Sequence, residues 1–215
     1  MTENLKIPCP TKAEVKKYLE IWDSNENYCK PAEALQKLFT VYLSTNKHIE
    51  DILIKTYALN DVFGTSIYWP VDVAENILAM KIDDDLSEGN KSVIGKIAKK
   101  NGKEKFEFKS KNGKTIKKEF YSFATKYASF HQPDKYPLFD SNVERALNYF
   151  KNSCPAKFTF NNGNLKIYKE FVSIVREFKE SFDLSNSPFR DIDKYLYLVG
   201  KEIKEKTDEA KKKKP

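Results

Sequence analysis

Residues 120–147 read FYSFATKYASFHQPDKYPLFDSNVERAL, two helical stretches joined by a short connector. In the first, Phe120, Phe123, Tyr127 and Phe130 recur at i, i+3, i+7 and i+10, the spacing of one buried helix face. Pro137 then sets an extended approach, because proline fixes its own φ and pushes the residue before it out of the α region. Val143, Ala146, Leu147 and Phe150 repeat at helical spacing, so a second helix is predicted from about Ser141, with Asp140 at its mouth. Asp is a favoured N-cap, and Ser141 with Glu144 offers a capping box of its own. A carboxylate at the positive end of a helix dipole is also well aimed for chemistry, so the cap and a catalytic role are compatible. Lys126 has two readings: one more solvated lysine among 38 lysines and arginines, or a functional amine in the company of His131, Tyr136 and Asp140.

Outward from this stretch the plan is helical. Thr11 and Glu14 form a capping box ahead of Val15, Tyr18, Leu19 and Trp22. Pro31 suits the first turn of a helix carrying Leu35, Leu38 and Tyr42. Further helices are predicted from Ile49 through Leu59 to Gly64, over Val73 to Met80, over Ser92 to Lys100, and from Tyr168 to Phe182. A last one runs through Phe189, Ile192, Tyr195, Leu196 and Val199 to Gly200 as its stop. Asn112-Gly113 and Asn162-Gly163 each sit between short apolar runs and predict two small β-hairpins. The expected fold is therefore mostly α, a single two-lobed domain over 1–203 with two hairpin insertions and a basic, disordered tail over 204–215.

The formal charge is +7 with a pI near 9.0, enough to draw phosphates at long range in a salt-dependent way. From Lys91 to Lys118 lysines greatly outnumber Glu104 and Glu107, and Lys211 to Lys214 close the chain. The basic run over about 101–118 could lie against a DNA backbone. No apolar run is long enough to span a bilayer and the amino end lacks a signal-peptide core, which predicts a cytoplasmic protein without a membrane partner. Cys9, Cys29 and Cys154 are too few and too widely spaced for a disulfide framework or a four-cysteine metal site. With His48 and His131 the only histidines, no metal or other cofactor is expected. Asp83, Asp84 and Asp85 read as a solvated turn rather than a Mg²⁺ site.

The lysine helix, the connector and the run Asp140-Ser141-Asn142-Val143-Glu144-Arg145-Ala146-Leu147 resemble the core of the helix-hairpin-helix DNA glycosylases, where an aspartate in V-D-T-H-V-x-R-V-L opens a helix. Over about thirty residues, Arg145 and the apolar positions fall in register with that pattern. The resemblance implies that Asp140 assists departure of a base and stabilises the cationic sugar. It also implies that Lys126 is the amine of members that nick DNA, an AP-lyase step through a Schiff base. Glu119-Phe120-Tyr121-Ser122-Phe123 lacks the glycines of that family's hairpin. Double-stranded DNA with one flipped base is the implied partner, with Phe130, His131, Tyr136, Tyr68 and Trp69 as candidate pocket residues. Lys99, Lys100, Lys114, Lys117, Lys118 and Arg145 are candidate DNA contacts. Leu59-Asn60 to Thr65 is faintly similar to the glycosylase segment whose amide fills the gap left by the flipped base, while the first reading of Asn60 is a plain helix C-cap. Two alternatives stay open: a non-catalytic DNA-binding module of the same shape in repair or phage defence, and a glycosidase acting on RNA or nucleotides.

Overall fold

The structure, a computed structural model, describes residues 7–110 and 112–212. It is mostly α, with one two-stranded sheet among the described residues. The chain divides into two compact units, residues 1–29 with 137–215, and residues 30–136.

The discontinuous unit holds α1 (Lys12–Ser24), α8 (Ser141–Ser153), α9 (Tyr168–Ser181) and α10 (Phe189–Lys212). Thr11 Oγ1 accepts from Glu14 N at 3.1 Å, the expected cap, and Val15, Tyr18 and Trp22 face inward from α1. Both α1 and α8 lie along α10. The aromatic core includes Phe150 against Tyr195 with centroids 6.0 Å apart and Phe158 against Phe178 at 5.4 Å. Three expectations are corrected in this unit. Gly200 does not end α10, which continues to Lys212, so 204–212 is helix and not a tail; Lys213 and Lys214 lie outside the described residues. Asn162-Gly163 opens a 3-10 turn (Asn162–Lys166), not a hairpin: Asn161 caps it by accepting from Gly163 N at 3.0 Å, and Leu165 is driven inside. One disulfide is formed, Cys9 to Cys154, across 145 residues, while Cys29 is free.

The continuous unit takes in all of α2 (Glu26–Lys37) beyond Cys29, a π-helical segment (Leu38–Tyr42), α3 (Ile49–Phe63), α4 (Pro70–Met80), α5 (Asp83–Glu88), α6 (Val93–Ala98) and α7 (Tyr121–His131). Pro31 sits inside α2 and not in its first turn, since the helix already starts at Glu26. Gly64 closes α3 in the left-handed region at φ 56°, where glycine carries no Cβ penalty. Asp83 to Asp85 form the first turn of α5 instead of a loose turn, an arrangement that suits acids at a helix N-terminus. The first hairpin is as expected: β1 (Phe106–Lys109) pairs antiparallel with β2 (Thr115–Lys118), Phe106 opposite Lys118 and Phe108 opposite Ile116. Every residue from Phe123 to His131 is buried, so α7 is a central helix enclosed on all sides rather than a striped surface helix.

Candidate functional site

Asp140 lies in the discontinuous unit at the start of α8. Its approach is pinned, since Tyr168 Oη donates to Pro137 O at 3.0 Å and Leu138 N donates to an Asp193 carboxylate oxygen at 3.0 Å. At φ −151° and ψ −179° the backbone is extended, and Oδ1 accepts from Asn142 N and Val143 N, both at 2.9 Å. The carboxylate is thus the N-cap itself, in preference to Ser141, and is 9% exposed.

The turn behind it is locked against α10. Arg145 Nη1 donates to Asn142 Oδ1 at 2.6 Å and to Gly200 O at 3.0 Å. Arg145, expected on DNA, therefore ties two helices of its own unit together. A Cβ on Gly200 would stand 2.0 Å from Asn142 O, which explains a glycine in the middle of a long helix: it lets backbone meet backbone.

One turn earlier on α10 is Tyr197. Burial and the negative charge of Asp140 both raise its hydroxyl pKa. Tyr197 meets Trp22 edge-on at 5.8 Å and Tyr28 at 6.3 Å, and Trp22 stacks on Tyr28 at 5.3 Å. Lys201 donates to Tyr28 Oη and stands 4.8 Å from that ring's centroid. Trp22, Tyr28, Tyr197 and Lys201 thus form a partly buried aromatic cluster with a cation on it, in the same unit as Asp140. Sequence reasoning missed Trp22, Tyr28, Tyr197 and Lys201. The available signal was Tyr197 and Lys201 four apart around Gly200, hidden because the glycine was read as a stop.

The remaining candidates lie in the continuous unit. Lys126 is central in α7, 2% exposed, with Nζ donating to Ser122 Oγ at 2.8 Å and 5.6 Å from the Phe63 ring centroid. Phe130, His131 and Tyr136 are buried core residues. Tyr136 Oη donates to Asp85 O at 2.8 Å, fastening the connector to α5. His131 belongs to a buried polar network with Lys55, which sequence reasoning also missed. Lys55 Nζ donates to Leu43 O at 3.0 Å, Thr45 O at 2.8 Å and Asn46 Oδ1 at 2.7 Å, with His131 Nε2 at 3.2 Å. Asp83 clamps Asn46 through its main-chain and side-chain nitrogens. Burial lowers the Lys55 pKa to about 8, against the pull of Asp83 and Asp51. Burial, then the charge of Lys55, pushes His131 well below its usual value and keeps it neutral.

Asn60 neither caps α3 nor projects outward. Its Oδ1 accepts from Ile67 N at 2.9 Å and Thr65 Oγ1 at 2.8 Å, and its Nδ2 donates to Ile67 O at 3.2 Å, closing the loop after α3. Tyr68 is exposed and Trp69 stacks on Phe108, so both belong with the hairpin. Of the candidate lysines, Lys99 pairs with Glu119 at 3.6 Å and Lys117 with Glu107, while Lys100, Lys114 and Lys118 are exposed. Among the described residues no three His, Cys, Asp or Glu side chains converge as a metal site, and no helix is long and apolar enough to cross a membrane.

Residues 14–135 match the HI_0787_N family, described as an N-terminal domain. The match holds Lys126, ends within two residues of the boundary after Tyr136, and stops short of Asp140. An uncharacterized protein of Haemophilus influenzae is 34% identical over 166 residues, 76% of this chain and 73% of that protein. No solved structure matches the chain.

Proposed function

The chain belongs to the HI_0787_N family, and we propose that it acts as a DNA N-glycosylase excising a damaged or modified base, with Asp140 as its catalytic carboxylate. The observation that carries this reading is the carboxylate at the mouth of α8, 9% exposed and fixed by two main-chain N–H groups. The likeness of residues 140–147 to the glycosylase pattern supports it.

Breaking an N-glycosidic bond builds positive charge on the sugar as the electron pair leaves with the base. A carboxylate that is already oriented stabilises that charge more in the transition state than in the ground state. Water then adds to the anomeric carbon and loses its proton, leaving an abasic site. By the same resemblance Lys126, in the other unit, is the candidate amine of a lyase step, for which it must be deprotonated to form a Schiff base. DNA as substrate implies the cytoplasm as the place of work.

The test is a panel of labelled duplexes carrying damaged and modified bases, treated with alkali after incubation and run beside a borohydride trap. Alkali-dependent breaks lost with Asp140→Asn support the glycosylase, and a trapped adduct lost with Lys126→Ala adds lyase activity. The missing glycine hairpin ahead of Lys126 favours a second reading, a non-catalytic DNA-binding module. Salt-sensitive binding with no breaks on any substrate selects it.

A further inference from the structure

Residues 99–119 hold nine lysines against three glutamates, +6 of the chain's formal +7. Two of those glutamates are taken up locally, Glu107 by Lys117 and Glu119 by Lys99. Lys103, Lys105, Lys109, Lys114 and Lys118 all face solvent. The hairpin is two-faced: Phe106 and Phe108 are buried while Lys105, Glu107 and Lys109 alternate outward, the period of a half-buried strand.

Its buried face is fastened by rings. Phe108 stacks on Trp69 with centroids 3.8 Å apart and planes at 4°, and Phe106 lies 5.3 Å from Phe120. Trp69 in turn meets Tyr68 edge-on at 6.0 Å, and Tyr68 is 73% exposed. That exposure is built into the loop. Asn60 holds Ile67 by both its N–H and its carbonyl, Ile67 is buried, and Trp69 is anchored, so Tyr68 between them is turned to water. An aromatic face and a lysine-rich strand pair are thus carried on one frame.

We propose that the hairpin with Tyr68 is a docking surface for unpaired nucleic acid: the lysines follow the phosphates and Tyr68 stacks on an unstacked base. The ring decides the strand state. A closed duplex offers phosphates to lysines but no base face to a ring, whereas sequence-tolerant single-strand surfaces combine a basic track with aromatic platforms. The proposal goes beyond the glycosylase reading and does not rest on it, since the surface involves none of the residues around Asp140.

The experiment is fluorescence anisotropy with a labelled oligothymidine and a duplex of equal length over a sodium chloride series. Wild-type protein is compared with Tyr68→Ala, Tyr68→Phe, and a triple variant combining Lys105→Ala, Lys109→Ala and Lys114→Ala. All these positions are exposed, and circular dichroism checks the fold. Tyr68→Ala is expected to weaken single-strand binding by about 5- to 150-fold while leaving the duplex unchanged, with Tyr68→Phe restoring it. The triple variant is expected to flatten the single-strand slope of log affinity against log salt by about 2. Equal single-strand affinity of wild type and Tyr68→Ala, or an unchanged salt slope, overturns the proposal. So does binding confined to anionic phosphatidylserine vesicles, which makes the surface a membrane contact instead. Because binding is read without turnover, failure here leaves the glycosylase reading standing, and absence of base excision leaves this one standing.

Discussion

At the level of single residues, Asp140 has two separable properties, hydrogen-bond acceptor for the first turn of α8 and negative charge. Asp140→Asn keeps the acceptor, since Asn caps as well as Asp, so its melting temperature should stay close to wild type while base excision disappears. Asp140→Ala removes both and should cost about 0.5–2 kcal/mol besides. Thermal melts of the two variants beside the excision assay check the separation; equal turnover in wild type and Asp140→Asn would leave the residue a cap alone. Lys55 gives a prediction with a sign. Its pKa is lowered from 10.5 to about 8 in the folded chain, so between those pH values the unfolded chain binds the proton and the folded chain does not. Stability contributed by this group therefore rises with pH from about 8 to 10.5, by roughly 3 kcal/mol in full. Lys55→Met loses its three oxygen partners and is less stable throughout, but it lacks this titration. The stability gap in favour of wild type should thus widen from pH 7.5 to 10 in denaturant melts. A flat gap would mean that the carbonyl cage holds the proton in place.

Among the helices, the meeting of α8 with α10 at Gly200 sets the position of Asp140. Gly200→Ala places a methyl where Asn142 O already is, and backbone on both sides cannot rotate away. The expected cost is about 1–3 kcal/mol, read as a lower midpoint in urea, together with loss of excision as the capped turn shifts. This junction also shows what the sequence can convey. The Thr11 cap, the Gly64 stop, the α8 start at Ser141 and the Asn112-Gly113 hairpin were legible because each signal is complete within a few residues. Gly200 was not, since a glycine that ends a helix and one that admits a neighbouring backbone look alike until the neighbour is known. Asn162-Gly163 failed for a related reason: Asn161 supplies a local cap and Leu165 finds the core, so the chain turns helical before strands can pair. The stripe on α7 was legible, yet its total burial, which includes Phe130 and His131, was not. Trp22, Tyr28 and Tyr197 meet only after some 170 residues have folded between them, which no spacing rule reports.

For the molecule as a whole, the unit that carries Asp140 is assembled from two distant stretches of chain, while the other is one continuous run. A discontinuous unit must close a long loop before its helices can pair, and that closure is entropically unfavourable. Besides the packing of α1 along α10, its amino-terminal stretch is fastened near the end of α8. The disulfide joins Cys9 to Cys154 just past the end of α8, and Ile7 exchanges hydrogen bonds with Tyr149 Oη through its N–H at 3.0 Å and its carbonyl at 3.1 Å. A cross-link enclosing so long a loop stabilises by up to about 5 kcal/mol in the chain-entropy view. That stabilisation belongs to the discontinuous unit alone, because both cysteines are in it. Reduction should therefore lower the stability of residues 1–29 and 137–215 while leaving residues 30–136 as they were. Differential scanning calorimetry with and without dithiothreitol tests this directly. A single transition under oxidising conditions is expected to split on reduction, the lower component disappearing into the same position in a Cys154→Ser variant whatever the redox state. Excision in the reduced form then shows whether the candidate site survives in a reducing cytoplasm, where such a bond is not maintained. Retained activity would mean that the Ile7 hydrogen bonds and the core of α1, α8 and α10 hold the Asp140 turn by themselves; lost activity would mean that the protein works only where its disulfide can persist.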